Sequence, residues 1–89
     1  MTSQEEKRLK EKLEADLLVI FKSPMLNLEQ LQEALNYSSV SAIRQSIMRG
    51  TLPVPVFQLP NRRGHFVLVS EVAAFLAQQA NKGVKSKSN

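Results

Sequence analysis

The chain has 89 residues, of which 43% are hydrophobic, enough for one small domain with a thin core. It has no cysteine and one histidine, which excludes a disulfide framework, a thiolate zinc site and a paired-imidazole metal site. The net charge of +4 is uneven: residues 1–22 are neutral, whereas residues 23–89 set seven cations against Glu29, Glu33 and Glu71. No acid occurs between Ser38 and Ser70, and a surface of one sign attracts polyanions.

Residues 3–22 read as an amphipathic helix, with Leu9, Leu13, Leu17 and Ile20 on one face. Ser23-Pro24 ends it, because the residue before proline is pushed out of the α region. The apolar run 17–21 is too short for a secretory core or a membrane span, so the expected location is cytoplasmic, with no membrane partner. Its residues face all sides of a helix, so this end is expected to be buried, on its own domain or on a second copy. Leu9, Leu13, Leu17 and Ile20 are therefore candidate dimerisation residues, and a homodimer is a candidate state.

A second helix starts at Asn27, with Gln30 in the capping-box position. Leu28, Leu31 and Leu35 face inward, and Asn36 tolerates the left-handed turn that ends it. Ser38 or Ser39 caps a third helix that stops at Gly50, with Val40, Ile43 and Ile47 buried. Residues 54–59 and 65–69 are β-rich runs around the turn residues Pro60, Asn61 and Gly64, so they predict a two-stranded hairpin. Pro53 and Pro55 confine its first strand to an edge. Ser70 is expected to cap a last helix carrying Val72, Phe75 and Leu76. Residues 81–89 read as a basic disordered tail bearing Lys82, Lys85 and Lys87.

Two short helices, a tight turn and a basic hairpin make a helix-turn-helix with a wing. The fold expectation is α+β and mostly helical: a winged helix-turn-helix over residues 23–80, a two-stranded hairpin wing, and an extra N-terminal helix over 1–22. The third helix offers residue types that read base edges, Arg44 for guanine and Gln45 for adenine. Ser39, Ser41, Met48 and Arg49 complete the candidate DNA-binding set on that helix. Arg62 and Arg63 are candidate phosphate or minor-groove contacts at the wing tip. His65 is expected to be a surface residue, and Tyr37 a core or turn anchor. No paired carboxylates, nucleophile–base set or glycine-rich phosphate loop stands out, so the reading is of a non-enzyme without cofactor or metal.

The segment "LNLEQLQEALNYSSVSAIRQSIMRGTLPVPV", followed by "RRGHFVLVSEVAAFL", resembles the small phage excisionases and prophage regulators, winged-helix proteins related to the mercury-resistance regulators. The resemblance covers roughly residues 25–78 and centres on the step Gly50-Thr51-Leu52-Pro53. The sequence around "LPVPV" is also similar to phage transcription activators of the pyocin type. The chain differs in having Asn36 and one more residue where the family often has a glycine turn. The resemblance implies sequence-specific binding of double-stranded DNA. The role would be that of an excisionase-type recombination directionality factor or of a regulator of prophage or mobile-element transcription, partnered by an integrase or other recombinase, or by RNA polymerase. The alternative from a different class is a protein-interaction module that docks through the apolar N-terminal helix.

Overall fold

The structure, a computed structural model, describes residues 2–87, with side chains through residue 83. The chain is α+β and mostly helical, in the order α1 (Ser3–Phe21), β1 (Met25–Asn27), α2 (Leu28–Leu35), α3 (Val40–Arg49), β2 (Phe66–Leu68) and α4 (Val69–Lys87). Local chemistry explains most of the boundaries. Thr2 and Glu5 close a capping box on α1: the Glu5 amide donates to Thr2 Oγ1 at 3.2 Å and the Thr2 amide donates to Glu5 Oε1 at 3.0 Å. The Thr2 amide, and after it the Thr2 side chain, favour the charged Glu5 carboxylate and hold its pKa below the ordinary value. Asn27 and Gln30 form the same box on α2, with bonds of 2.9 and 3.0 Å.

Left-handed residues stop the first three helices: Lys22 at φ 57°, Asn36 at φ 58° and Gly50 at φ 71°. The left-handed conformation lets the chain turn back while the cap amide bonds a carbonyl of the last turn. Ser39 is the cap of α3, its hydroxyl oxygen accepting from the Ala42 amide at 3.0 Å.

The sheet differs from the expected hairpin. β2 pairs antiparallel with β1, in the register Met25↔Leu68, Leu26↔Val67 and Asn27↔Phe66. Residues 54–59 form no strand; their only pairing in the described structure is a bridge in which Phe57 and Phe66 exchange bonds of 2.9 and 2.8 Å. Pro53 and Pro55 lack the amide protons that a ladder needs, and the segment bends at residues 53–54 and makes no pairing until Phe57. The strand at Met25–Asn27 was not anticipated, because three residues beside a proline are too few to show alternation. Its pairing is a matter of burial: Leu26 and Val67 face each other across the ladder and both lie wholly inside.

One core joins all the elements. Leu26, Leu31, Ile43, Val67, Val69 and Val72 are fully buried, and Leu17 of α1 joins the same cluster. The inward faces expected for α2 and α3 are met: Leu28, Leu31 and Ile43 are buried, and Leu35, Val40 and Ile47 pack at the margin. Tyr37 packs there too, as an anchor of the turn.

α1 lies along α4, so the N-terminal segment is a layer of the same core. The Asn81 amide donates to Glu6 Oε1 at 2.6 Å across that interface. Leu13, Leu17 and Phe21 make the contact, at four-residue spacing. Ile20, expected on that face, is 63% exposed, as Val19 is at 74% and Leu18 at 38%. The run 17–21 is therefore not buried on all sides, because one neighbouring helix covers only one stripe of α1.

Two further expectations shift at the C-terminal end. α4 begins at Val69, one residue before the expected cap Ser70, and the Val69 amide bonds Pro24 O at 2.9 Å. The helix then continues to Lys87, through most of the segment read as a disordered tail. Asn81 is held by α1, no proline interrupts the run, and lysines near a helix C-terminus suit its dipole. The rest of that expected tail, residues 88–89, lies outside the described residues.

Candidate nucleic-acid interface

α3 exposes a coherent face. Ser41, Arg44, Gln45 and Met48 occupy the i, i+3, i+4 and i+7 positions of one stripe, opposite buried Ile43, and all four are exposed. Met48 is 87% exposed, and Arg49 follows on the flank. Ser39 stands apart, since its oxygen already caps the helix.

The loop over residues 58–65 comes back beside this helix. A turn at Asn61 (φ 61°) and a left-handed Gly64 (φ 96°) shape it, and at Gly64 any side chain would strain the backbone. The two arginines of the loop diverge. Arg62 folds back over the Phe66 ring, 5.9 Å from its centroid, and Phe66 in turn lies 6.1 Å from Phe57. Arg63 instead lines a groove of about 340 Å³ together with Gly64, His65, Phe66, Asn27, Leu28, Glu29, Val40 and Arg44. One wall of the groove is the loop. The other is the first turns of α2 and α3.

Among the described residues the sole ion pair is Lys12–Asp16 at 3.0 Å, on α1. No carboxylate of the described residues therefore lies within 4 Å of Arg44, Arg49, Arg62 or Arg63, and their charge is open to a ligand. Glu29 is the acid at the groove. It comes from α2, outside the acid-free stretch, so the pattern of charge along the chain did not place it there. His65 also lines the groove, which only the loop's return beside α3 reveals. A second concavity, about 590 Å³, lies on the outer side of α2 between Glu29, Glu33 and neutral side chains, and repels anions. No cluster of three or more His, Cys, Asp or Glu side chains able to hold a metal occurs among the described residues, and no helix there is long and apolar enough to cross a membrane.

Of the expected site residues, the structure gathers Ser41, Arg44, Gln45, Met48 and Arg49 on one helix and brings Arg63 to Arg44 across the groove. It sets Arg62 on the loop's own aromatic pair and Ser39 in the cap. Leu13 and Leu17 are spent on the core within the chain, and half-buried Leu9 lies on the same side of α1. No protein-family model, curated protein or solved structure matches the chain.

Proposed function

We propose that the protein binds double-stranded DNA sequence-specifically as a winged helix-turn-helix domain. In this reading α3 enters the major groove and the loop over residues 58–65 is the wing. The observation that supports it is the shared groove, where Arg44 of α3 and Arg63 of the loop converge with no carboxylate paired to either. A duplex fits such a surface because its phosphates lie on both sides of an inserted helix. Arg44 and Gln45 read base edges, Arg63 meets a phosphate, and Arg62 stiffens the wing against Phe66 while keeping its charge towards the DNA. The protein acts by binding rather than by catalysis, as a recombination directionality factor of the excisionase type or as a regulator of prophage or mobile-element transcription. An integrase or RNA polymerase would be its protein partner.

Titrating fluorescent duplexes at two salt concentrations tests the reading. Random duplex should bind with a steep salt dependence, and a duplex selected from a random pool should bind at least about a thousandfold more tightly. Absence of binding at low salt sinks it. Mobility of the complex as the site is moved along a fragment then separates the two roles, because an architectural factor bends its site.

The exposed run Leu18, Val19 and Ile20 favours a second reading, a protein-interaction module docking through α1. In that case exchanging these residues for polar ones would abolish partner capture and leave DNA affinity unchanged.

A further inference from the structure

His65 is the single histidine of the chain, and the loop returns it to the groove that Arg44 and Arg63 share. It stands two residues before buried Val67, on the same side of the extended chain, and is half-buried. Left-handed Gly64 turns the backbone just before it. Phe66, which exchanges backbone bonds of 2.9 and 2.8 Å with Phe57, fixes the backbone just after it. The ring is thus held at the groove from both sides along the chain. The charged groups that line the groove with it are Arg63 from its own loop, Arg44 from α3 and Glu29 from α2. Arg62 lies over Phe66 instead. No carboxylate of the described residues, Glu29 included, comes within 4 Å of a ring nitrogen of His65. A space of about 340 Å³ is therefore bordered by two guanidinium groups and one imidazole, all able to donate N–H bonds, and by one acid.

A phosphodiester entering this space adds a negative charge beside the imidazole. A neutral ring offers it one N–H. A protonated ring offers two, and a bond from a cation to an anionic oxygen is roughly twice as strong as one between neutral groups. We infer that His65 joins Arg63 as a ligand of a backbone phosphate, beside Arg44, and that the ring takes up a proton from solvent when the phosphate is seated. The inference rests on the DNA-binding reading and adds a pH dependence to it. The complex favours the protonated ring, so the extra affinity is present at low pH and is lost as pH rises through the imidazole range. Glu29, on the α2 wall, bears the same charge as the phosphate and limits the seat to the side of Arg63 and His65.

Calorimetric titration of random duplex into the full chain tests this at low salt near neutral pH, in two buffers of different ionisation enthalpy. Binding should take up a measurable fraction of one proton per chain, and affinity should fall about threefold per pH unit between pH 6 and 8. Arginine and carboxylate side chains keep their charge over that range. The α-amino group does not, but His65→Gln retains it, so the difference between the two chains belongs to His65. His65→Gln should remove the difference in uptake and flatten the profile. His65→Arg, a cation at every pH, should bind at pH 8 about as tightly as the parent does at pH 6. In the parent chain itself, the ring signals of His65 followed by NMR should titrate at higher pH with duplex bound than without it, a readout that needs no variant. Binding without proton uptake, uptake unchanged in His65→Gln, or a ring titration indifferent to duplex each overturns the inference and leaves the DNA-binding reading in place. Absence of binding overturns both.

Discussion

The α1–α4 layer and the α2–α3 unit with its loop solve opposite problems on one core. Over residues 1–22 five cations are balanced by five acids, and four of these charged groups have partners within the chain: Lys12 with Asp16, Glu5 with its cap, Glu6 with Asn81. On the groove side Arg44 and Arg63 have no carboxylate partner among the described residues. The apolar surface divides the same way. α1 leaves Leu18, Val19 and Ile20 outside, whereas the face around α3 leaves Met48 alone among cations and amides. A charge satisfied at home stabilises the monomer modestly, while an unsatisfied one is free to act on something else. The contrast separates a layer that packs within the chain from a face whose arginines have no ion-pair partner among the described residues.

The strongest attack on this contrast removes the supporting layer. A chain starting at Ser23 loses Leu17, Leu13 and Phe21 from the core and uncovers α4. Each side chain of this kind contributes about 1.5–3 kcal/mol when fully buried, against a total of about 5–15 kcal/mol for a typical domain. The truncated chain should therefore lose its cooperative urea transition, seen by circular dichroism. A cooperative transition would show that α1 is an accessory.

Within the α2–α3 unit, Ile43→Ala empties a fully buried site under α3 and should cost about 2–5 kcal/mol in urea titration. Arg44→Ala, on the exposed side of the same helix, should leave that midpoint in place. If it reads guanine, it should weaken binding of the selected duplex by about 1–3 kcal/mol and relax the choice of one base. A uniform loss over all sequences would make Arg44 a phosphate contact. If Arg63 meets a phosphate, Arg63→Ala should weaken specific and random duplex alike and reduce the salt slope by about 0.9, whereas Arg62→Ala should also loosen the loop.

Met48 gives a finer test. A methionine pressed into a major groove finds one kind of apolar partner there, the thymine methyl. Replacing the right thymine by deoxyuridine should then cost about 0.8 kcal/mol in the parent chain and nothing in Met48→Ala. The smallest effect belongs to the support layer. The Glu5 pKa is lowered in the folded chain, first by the Thr2 backbone bond and then by its side chain. Its contribution is therefore present above the ordinary carboxylate range and is lost as pH falls through the lowered value. Amide shifts of Thr2 and Glu5 followed by NMR should move together over that window, with little change in global stability.

Helix existence and inward faces were legible because periodicity and caps are local. Asn27 with Gln30, Ser39, Asn36 and Gly50 each do in the fold what their side chains or backbone freedom dictate. The stripe Ser41, Arg44, Gln45 and Met48 was legible for the same reason: once Ile43 faces the core, the opposite face follows from 3.6 residues per turn. Partners were not local. That β2 chooses Met25–Asn27 over the proline-bearing run depends on which edge has amide protons to offer and on burying Leu26 against Val67. That Arg62 turns to Phe66 while Arg63 turns to Arg44 depends on the path of the loop.

The sequence by itself determined that there are four helices, the caps of α2 and α3, the single small core and the asymmetric charge, because each follows from side chains a few positions apart or from composition. Only the tertiary structure decided that α1 covers α4 with Leu17 and Phe21 rather than Ile20, that β1 exists, and that Glu29 and His65 border the groove of Arg44 and Arg63. The physical reason is range. A hydrogen bond to a cap spans three residues, whereas burial is shared among segments whose separation along the chain carries no record of who their neighbours will be.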